Sequence, residues 1–200
     1  MRTIHKAGAA GGAGAIILAC AFIQPWEGLW TTAKVDTIGT GRPVTWCYGE
    51  TKGPVKVGQK FTPQQCSDML AKRLPEYNAE ISPCIKVPVS DKTRAAFISF
   101  AYNVGSSAFC HSKIASRLNA GDAKGACDAM LAYNHAQGRV VKGLTNRRNA
   151  ERNLCLEGLT DVDVNRAAKA DRGPVPDAHH YRWIDYLRNW WRVFVSKISL

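Results

Sequence analysis

Polar and apolar positions divide this chain before its composition is considered. Arg2 and Lys6 stand near the start, and no charged residue follows until Glu27. Inside that gap, residues 7–23 read AGAAGGAGAIILACAFI, long enough for a short bilayer span but poor in strongly apolar side chains. Alanine and glycine contribute little transfer free energy. The run therefore predicts a weak anchor whose basic end stays cytoplasmic and whose following body is exported. Pro25 to Trp30 then predicts the start of a short helix, with Glu27 in its first turn. Val35 to Thr51 is rich in Gly, Thr and β-branched residues and predicts a small hairpin sheet turning at Gly39, Gly41 and Pro43.

Thr62-Pro63-Gln64-Gln65 is a helix start, with a Thr cap, Pro at the first helical position and Gln three residues on. That helix runs to about Ile81, with Met69, Leu70 and Leu74 on its inner face. Ser90-Asp91 caps the next, whose stripe of Ala95, Phe97, Ile98, Ala101 and Tyr102 predicts a central core helix ending at Gly105. Ser112–Asn119 and Asp122–Tyr133 predict two short capped helices. A final helix is expected over Thr145 to Leu156, with Arg147, Arg148, Glu151 and Arg152 outward and Leu154 and Cys155 inward. The pattern predicts an α+β fold: a small hairpin sheet, then a mainly helical lobe, with a cleft between them. Residues 1–24 are the anchor segment, 25–159 the folded domain, 160–180 a linker, and 181–200 a Trp-rich amphipathic helix.

Two hundred residues with a 46% apolar fraction suit one domain with a real core. The net charge of +11 is spread along the whole length, which suits a polyanion such as anionic lipid or an acidic cell-wall polymer. No zinc finger, RRM-type or Walker pattern is present, and nucleic acid is not an expected partner. None of the seven cysteines forms a CxxC pair, so neither a metal nor any other cofactor is expected. Six of them, Cys47, Cys66, Cys84, Cys110, Cys127 and Cys155, fall in the folded body and fit disulfides in an oxidising compartment. Connectivity does not follow from sequence; the pairing proposed is Cys47–Cys66, Cys84–Cys110 and Cys127–Cys155. Cys20 is left over, either a small apolar residue of the anchor or a thiol able to exchange with a bridge such as that of Cys47.

The chemistry lies in a regular spacing. Glu27, Asp36 and Thr45 stand nine residues apart each time. Cleaving a glycosidic bond takes one group that protonates the leaving oxygen and others that hold and activate water on the opposite face. Trp26, Leu29 and Trp30 predict an apolar setting for Glu27 that favours its protonated form. Trp-Glu-Gly-Leu, then Asp36-Thr37-Ile38-Gly39, then Thr45-Trp46-Cys47-Tyr48-Gly49-Glu50-Thr51 resembles the phage-type lysozymes, glycoside hydrolase family 24. Phe100-Ala101-Tyr102-Asn103-Val104-Gly105 and Gly143-Leu144-Thr145-Asn146-Arg147-Arg148 are similar to that family's later helical motifs. With the weak amino-terminal span, the chain resembles a signal-anchor-release endolysin.

The resemblance implies a lysozyme-like fold and a peptidoglycan substrate, cut at the β-1,4 bond between N-acetylmuramic acid and N-acetylglucosamine. It implies Glu27 as general acid, Asp36 as the group that orients or deprotonates water, and Thr45 as a water ligand. Tyr48, Glu50 and Asn103 are implied on the substrate-binding side. Glu50 stands where many relatives carry His, and reads as support for the cleft or as a surface carboxylate. The eight residues between Asp36 and Thr45 exceed the family spacing, and Gly41-Arg42-Pro43 reads as an insertion. The expected course is a monomer tethered in the inner membrane through residues 7–23, inactive there and then released to the periplasm. Residues 181–200 are expected to bind anionic lipid or to dock on the body. A cleaved signal at Ala19-Cys20-Ala21, a lipoprotein signal and a permanent anchor stay open for the amino terminus. A host-encoded periplasmic muramidase, a lytic transglycosylase and a non-catalytic cell-wall binding protein stay open for the function.

Overall fold

In the computed structural model, residues 12–36, 43–51 and 53–170 are described, with side chains described through 160. The expected turn at Gly39 and Gly41, the first residues of the anchor segment and the helix at 181–200 lie outside the described residues. The chain divides into a body through Arg166 and a terminal unit from Ala167 to Leu200.

Helix α1 is Ala13–Glu27, and the antiparallel hairpin of β1 (Trp30–Val35) and β2 (Val44–Cys47) follows it. Then come α2 (Pro63–Ile81), α3 (Asp91–Val104), α4 (Ser106–Cys110), α5 (Lys113–Asn119) and α6 (Ala123–Ala129). A two-residue hairpin, β3 (His135–Ala136) and β4 (Arg139–Val140), leads into the long α7 (Lys142–Ala170). This is the expected α+β arrangement, mainly helical with small antiparallel sheets.

The caps act as the sequence predicts. Gln65 N–H donates to Thr62 Oγ1 at 3.1 Å and Thr62 N–H donates to Gln65 Oε1 at 2.8 Å, so two otherwise orphan donors are satisfied at the start of α2. Ser90 caps α3 through Thr93 N–H at 3.1 Å, and Gly105, at φ +95°, ends it. Helix α3 is the axis of the core, with Ala95 through Ala101 all buried. Phe97 and Phe100 both meet Phe109 of α4, at centroid distances of 5.3 and 6.4 Å. Each fully buried Phe contributes roughly 1.5–3 kcal/mol relative to exposure. All three disulfides have the proposed pairing: Cys47–Cys66, Cys84–Cys110 and Cys127–Cys155.

Four expectations are corrected. Residues 13–23 are not held apart from the body: α1 packs between α3 and α2, with Ala15, Ala19 and Ile23 fully buried. No helix among the described residues is long and apolar enough to cross a membrane. Second, Glu27 ends a helix rather than starting one, because Gly28 at φ +68° stops α1, and β1 starts at Trp30, five residues before the expected strand. Third, α7 starts at Lys142 and turns Arg147, Arg148 and Glu151 inward, at 4%, 0% and 0% exposure. It also continues through Ala170, so the first ten residues after Thr160 are helical where a linker was expected. Fourth, the sequence reading had no β3–β4 hairpin; Gln137 and Gly138, at φ +50° and +75°, form its tight turn.

The close contact of α7 with the start of α3 gives a direct test. A Cβ on Gly158 would lie 2.6 Å from Thr93 N and closer still to the Ser90 and Thr93 hydroxyls, whereas one on Gly143 meets nothing within 4 Å. Gly158→Ala is expected to cost about 1–3 kcal/mol and Gly143→Ala to cost nothing, as read by thermal unfolding of the two variants.

Candidate functional site

The local fold brings the end of α1 against a tight turn. Trp46 N–H donates to Glu50 O at 3.1 Å and Glu50 N–H donates to Trp46 O at 3.0 Å. Cys47 and Gly49 take positive φ, +52° and +82°, to close that turn. A bulge in β1, between the pairs Trp30↔Cys47 and Lys34↔Thr45, bends the hairpin just before it. The turn is pinned from two sides. Cys47 is bridged to Cys66 of α2, and Tyr102 Oη of α3 donates to Tyr48 O at 2.5 Å. Burial, and then the neighbouring Glu27, push the Tyr102 phenol far above its usual range, which keeps it a proton-bearing donor. Glu27 rests against this turn: a Cβ on Gly49 would lie 3.5 Å from Glu27 Oε2.

The other carboxylate oxygen is held by a cation. Arg147 Nη1 donates to Glu27 Oε1 at 2.6 Å. The same guanidinium donates from Nε to Glu151 Oε1 at 3.1 Å and from Nη2 to Ser99 O at 3.3 Å. Ser99 Oγ donates to Glu151 Oε1 at 2.7 Å. Arg148 Nε lies 2.9 Å from Glu151 Oε2, a charge contact rather than an aligned hydrogen bond. Arg148 Nη2 donates to Asn103 Oδ1 at 3.0 Å, and its guanidinium stacks 4.8 Å from the Phe100 ring. Burial pushes the Glu151 carboxyl up, and Arg148, Arg147 and Ser99 oppose it. Two carboxylates and two guanidiniums thus sit together with balanced charge at the base of the site.

Above this network is a cavity of about 190 Å³, lined by Glu27, Gly49, Glu50, Thr51, Arg73, Tyr77, Tyr102 and Asn103. Arg73 is held there by Glu76 and stands 3.8 Å from Glu50. Of the expected site residues, Glu27, Glu50 and Asn103 come together at this cavity. Tyr48 is buried and contributes its backbone carbonyl to Tyr102. Asp36 and Thr45 are near neighbours of one another farther along the hairpin, where Lys34 pairs with Thr45 and Asp36 N–H donates to Pro43 O at 2.8 Å. Both are half-buried, and neither is among the residues that line the Glu27 cavity. The apolar setting expected for Glu27 is not found: Trp26, Leu29 and Trp30 are exposed, and its partner is Arg147. Sequence reasoning missed Arg147. Its signal was the i, i+4 spacing from Glu151, which reads equally as a solvated pair.

A mainly helical body with a small hairpin, and a carboxyl group at a cavity beside the turn that follows the hairpin, is a lysozyme-like arrangement. A family model described as phage lysozyme matches residues 24–151, and the chain belongs to that family. The SAR-endolysin of Bacteriophage PS119 is 39% identical over 132 residues, 66% of this chain and 77% of its own. The SAR-endolysin of Enterobacteria phage PA-2 is 36% identical over 163 residues, 78% of this chain and 97% of its own. Among solved structures, the endolysin from Escherichia coli O157:H7 phage FAHEc1 matches with a TM-score of 0.63 and 28% identity, covering 76% of this chain and 96% of that one. The chain is a muramidase of the endolysin type.

Arg147 sets a prediction. Arg147→Ala leaves Glu27 and Glu151 without their shared cation and is expected to destabilise the fold by about 3–5 kcal/mol. Arg147→Lys keeps the charge but cannot reach both carboxylates with a planar fork. It is expected to lose less stability while clearing permeabilised Gram-negative cells at least tenfold more slowly, because Glu27 is misplaced. Thermal unfolding and turbidity measured side by side check both.

Proposed function

We propose that the protein cuts the β-1,4 bond between N-acetylmuramic acid and N-acetylglucosamine by direct hydrolysis. In this reading Glu27 protonates the leaving glycosidic oxygen, Asp36 orients or deprotonates the attacking water, and Thr45 holds that water. The observation that supports it is Glu27 at the edge of the cavity, its carboxylate fixed between Arg147 and the Gly49 turn. A general acid must carry its proton within hydrogen-bond reach of one particular oxygen; the Arg147 contact takes Oε1 and fixes the side chain, which leaves Oε2, beside Gly49, to carry the proton that is transferred. Asp36 and Thr45 lie two register positions apart on the hairpin, Thr45 opposite Lys34 and Asp36 opposite Pro43, and in this reading they share one water.

We infer further that membrane-tethered protein is inactive. Residues 13–23 cannot lie in a bilayer and also fill the core between α2 and α3, where Ala15, Ala19 and Ile23 are wholly buried. Withdrawing α1 would carry Glu27 away from Arg147. Release from the inner membrane, triggered by collapse of the membrane potential, would let α1 dock and complete the site in the periplasm, where peptidoglycan lies.

Glu27→Gln is expected to lower turbidity clearing by about 10²–10⁴-fold, with a smaller loss of thermal stability than Arg147→Ala because the amide oxygen still accepts from Arg147. The wild-type products should carry reducing ends; 1,6-anhydro sugars would point to a lytic transglycosylase instead. Unchanged clearing by the Gln variant would leave a non-catalytic binding protein. For the tether, Gly14 is left alone, because a side chain there would meet the Asp91 carboxylate and force it to move. Ala13 is exposed in the docked helix. The variant with Ala9→Leu, Ala10→Leu and Ala13→Leu is expected to stay membrane-bound and not lyse its host, yet to clear cell walls normally once extracted in detergent. Normal lysis by that variant sinks the tether.

A further inference from the structure

Three exposed apolar side chains bracket Glu27 in sequence. Trp26, Leu29 and Trp30 are 36%, 42% and 48% exposed, although Ile23, one turn earlier, is wholly buried. Trp26 closes α1 and leans on Phe22, with ring centroids 6.3 Å apart. Trp30 opens β1 with the Lys34 ammonium over its ring. Gly28 turns the chain between them at φ +68°. None of the three lines the cavity that holds Glu27. Two indoles and a leucine within five residues thus stay in water beside a well-filled core, directly after the apolar run of residues 7–23.

We propose that Trp26, Leu29 and Trp30 are an interfacial anchor, lying in the headgroup layer on the outer face of the inner membrane while the preceding segment spans it. This rests on the tether reading above. Residues 7–23 as a helix reach about 25 Å, slightly short of a hydrocarbon core of about 30 Å. The residues just beyond them enter the zone of lipid carbonyls and headgroups. Indole is favoured there, because its ring is apolar and its N–H seeks an acceptor. Lys34, packed on Trp30, brings a cation to the level of anionic lipid phosphates. Arg2 and Lys6 mark the opposite end of the span. Lipid is the occupant the arrangement favours, because the cluster continues the apolar run of residues 7–23 and lies outside the cavity of the site.

The anchor has a consequence for control. An Ala- and Gly-rich span is weakly held by itself, and interfacial side chains at its outer end add to its retention. They also fix Glu27, which lies between them, at the membrane surface and away from Arg147. Release then requires these side chains to leave the interface, so they help set the threshold for release.

The test uses the full chain expressed in a Gram-negative host, with washed membranes separated from soluble periplasm before the membrane potential is collapsed. Trp26→Ser with Trp30→Ser is expected to shift the membrane-to-soluble ratio about tenfold towards soluble and to bring lysis forward. Trp26→Tyr with Trp30→Tyr keeps an aromatic ring with a polar tip and is expected to partition like wild type. Val140→Ser, at a side chain 62% exposed on β4, is expected to change nothing. Clearing rates of the detergent-extracted variants, expected within about twofold of wild type, show that each has folded. If the double Ser variant fails that control, Trp30→Ser alone is read instead, with the same shift expected in smaller measure. A wild-type partition in the Ser variant overturns the anchor while the tether stands, and so does a partition shift equalled by Val140→Ser. Unchanged partition with weaker binding to isolated sacculi overturns it in favour of a glycan-binding surface. Wild-type protein found soluble before depolarisation removes the tether and the anchor together.

Discussion

The structure depends on one buried guanidinium. Arg147 is almost without solvent, and its donors reach three helices: Glu27 of α1, Glu151 of α7 itself, and the Ser99 carbonyl of α3. A buried cation that loses a partner costs several kcal/mol, so the favourable arrangement is the one with all three helices in place. Glu27 is therefore not a surface carboxylate that happens to lie near a cavity. Its position is over-determined by the network beneath it and by the Tyr48–Gly49 turn beside it. That turn is fixed in its own right by the Cys47–Cys66 bridge and by the Tyr102 phenol.

Closing this network requires α1 to approach closely. A Cβ on Gly14 would lie 3.0 Å from Asp91 Cγ and nearer still to one of its oxygens, and Ala15 and Ala19 meet the core with no exposed surface. Larger side chains on that face would hold the helix off and leave Arg147 without Glu27. Ala15 and Ala19, which add little to a membrane span, are thus residues that let α1 pack as a core helix. Under the proposed tether, one segment serves two environments and is strongly committed to neither.

This double use explains what was legible in the sequence and what was not. Caps could be read because they are local: Thr62 with Gln65 and Ser90 with Thr93 satisfy orphan donors within one turn. The buried stripe of α3 could be read because apolar periodicity and a central place in the core go together. The position of α1 could not, because an Ala/Gly run has the same composition whether its neighbour is lipid or another helix. The inner face of α7 was misread for a related reason. Arg147, Arg148 and Glu151 look like a solvated face, and only α1 and α3, distant in sequence, supply the partners that let them be buried. Glu27 was found by its motif, but its setting was not. The expected apolar pocket of Trp26, Leu29 and Trp30 gave way to a guanidinium 120 residues away. The β3–β4 hairpin was missed because two-residue strands leave no alternation to detect, although Gln137-Gly138 carried the turn.

The placement of the disulfides completes the picture. Cys47–Cys66, Cys84–Cys110 and Cys127–Cys155 close loops with sequence separations of 19, 26 and 28, all within the body after α1. Each limits the unfolded chain within its own loop. None ties α1 to the rest, and Cys20, the cysteine α1 does carry, is free. The body is therefore cross-linked in an oxidising compartment whether or not α1 has arrived, while α1 is held by packing and by one charge contact at its end. Without α1, the surfaces of α2 and α3 that receive Ala15, Ala19 and Ile23 would face water, and the hydrophobic effect would favour covering them. The bridges join β2 to α2, the segment after α2 to α4, and α6 to α7, and under the proposed tether such a body is suited to stay folded until α1 docks and brings Glu27 to Arg147.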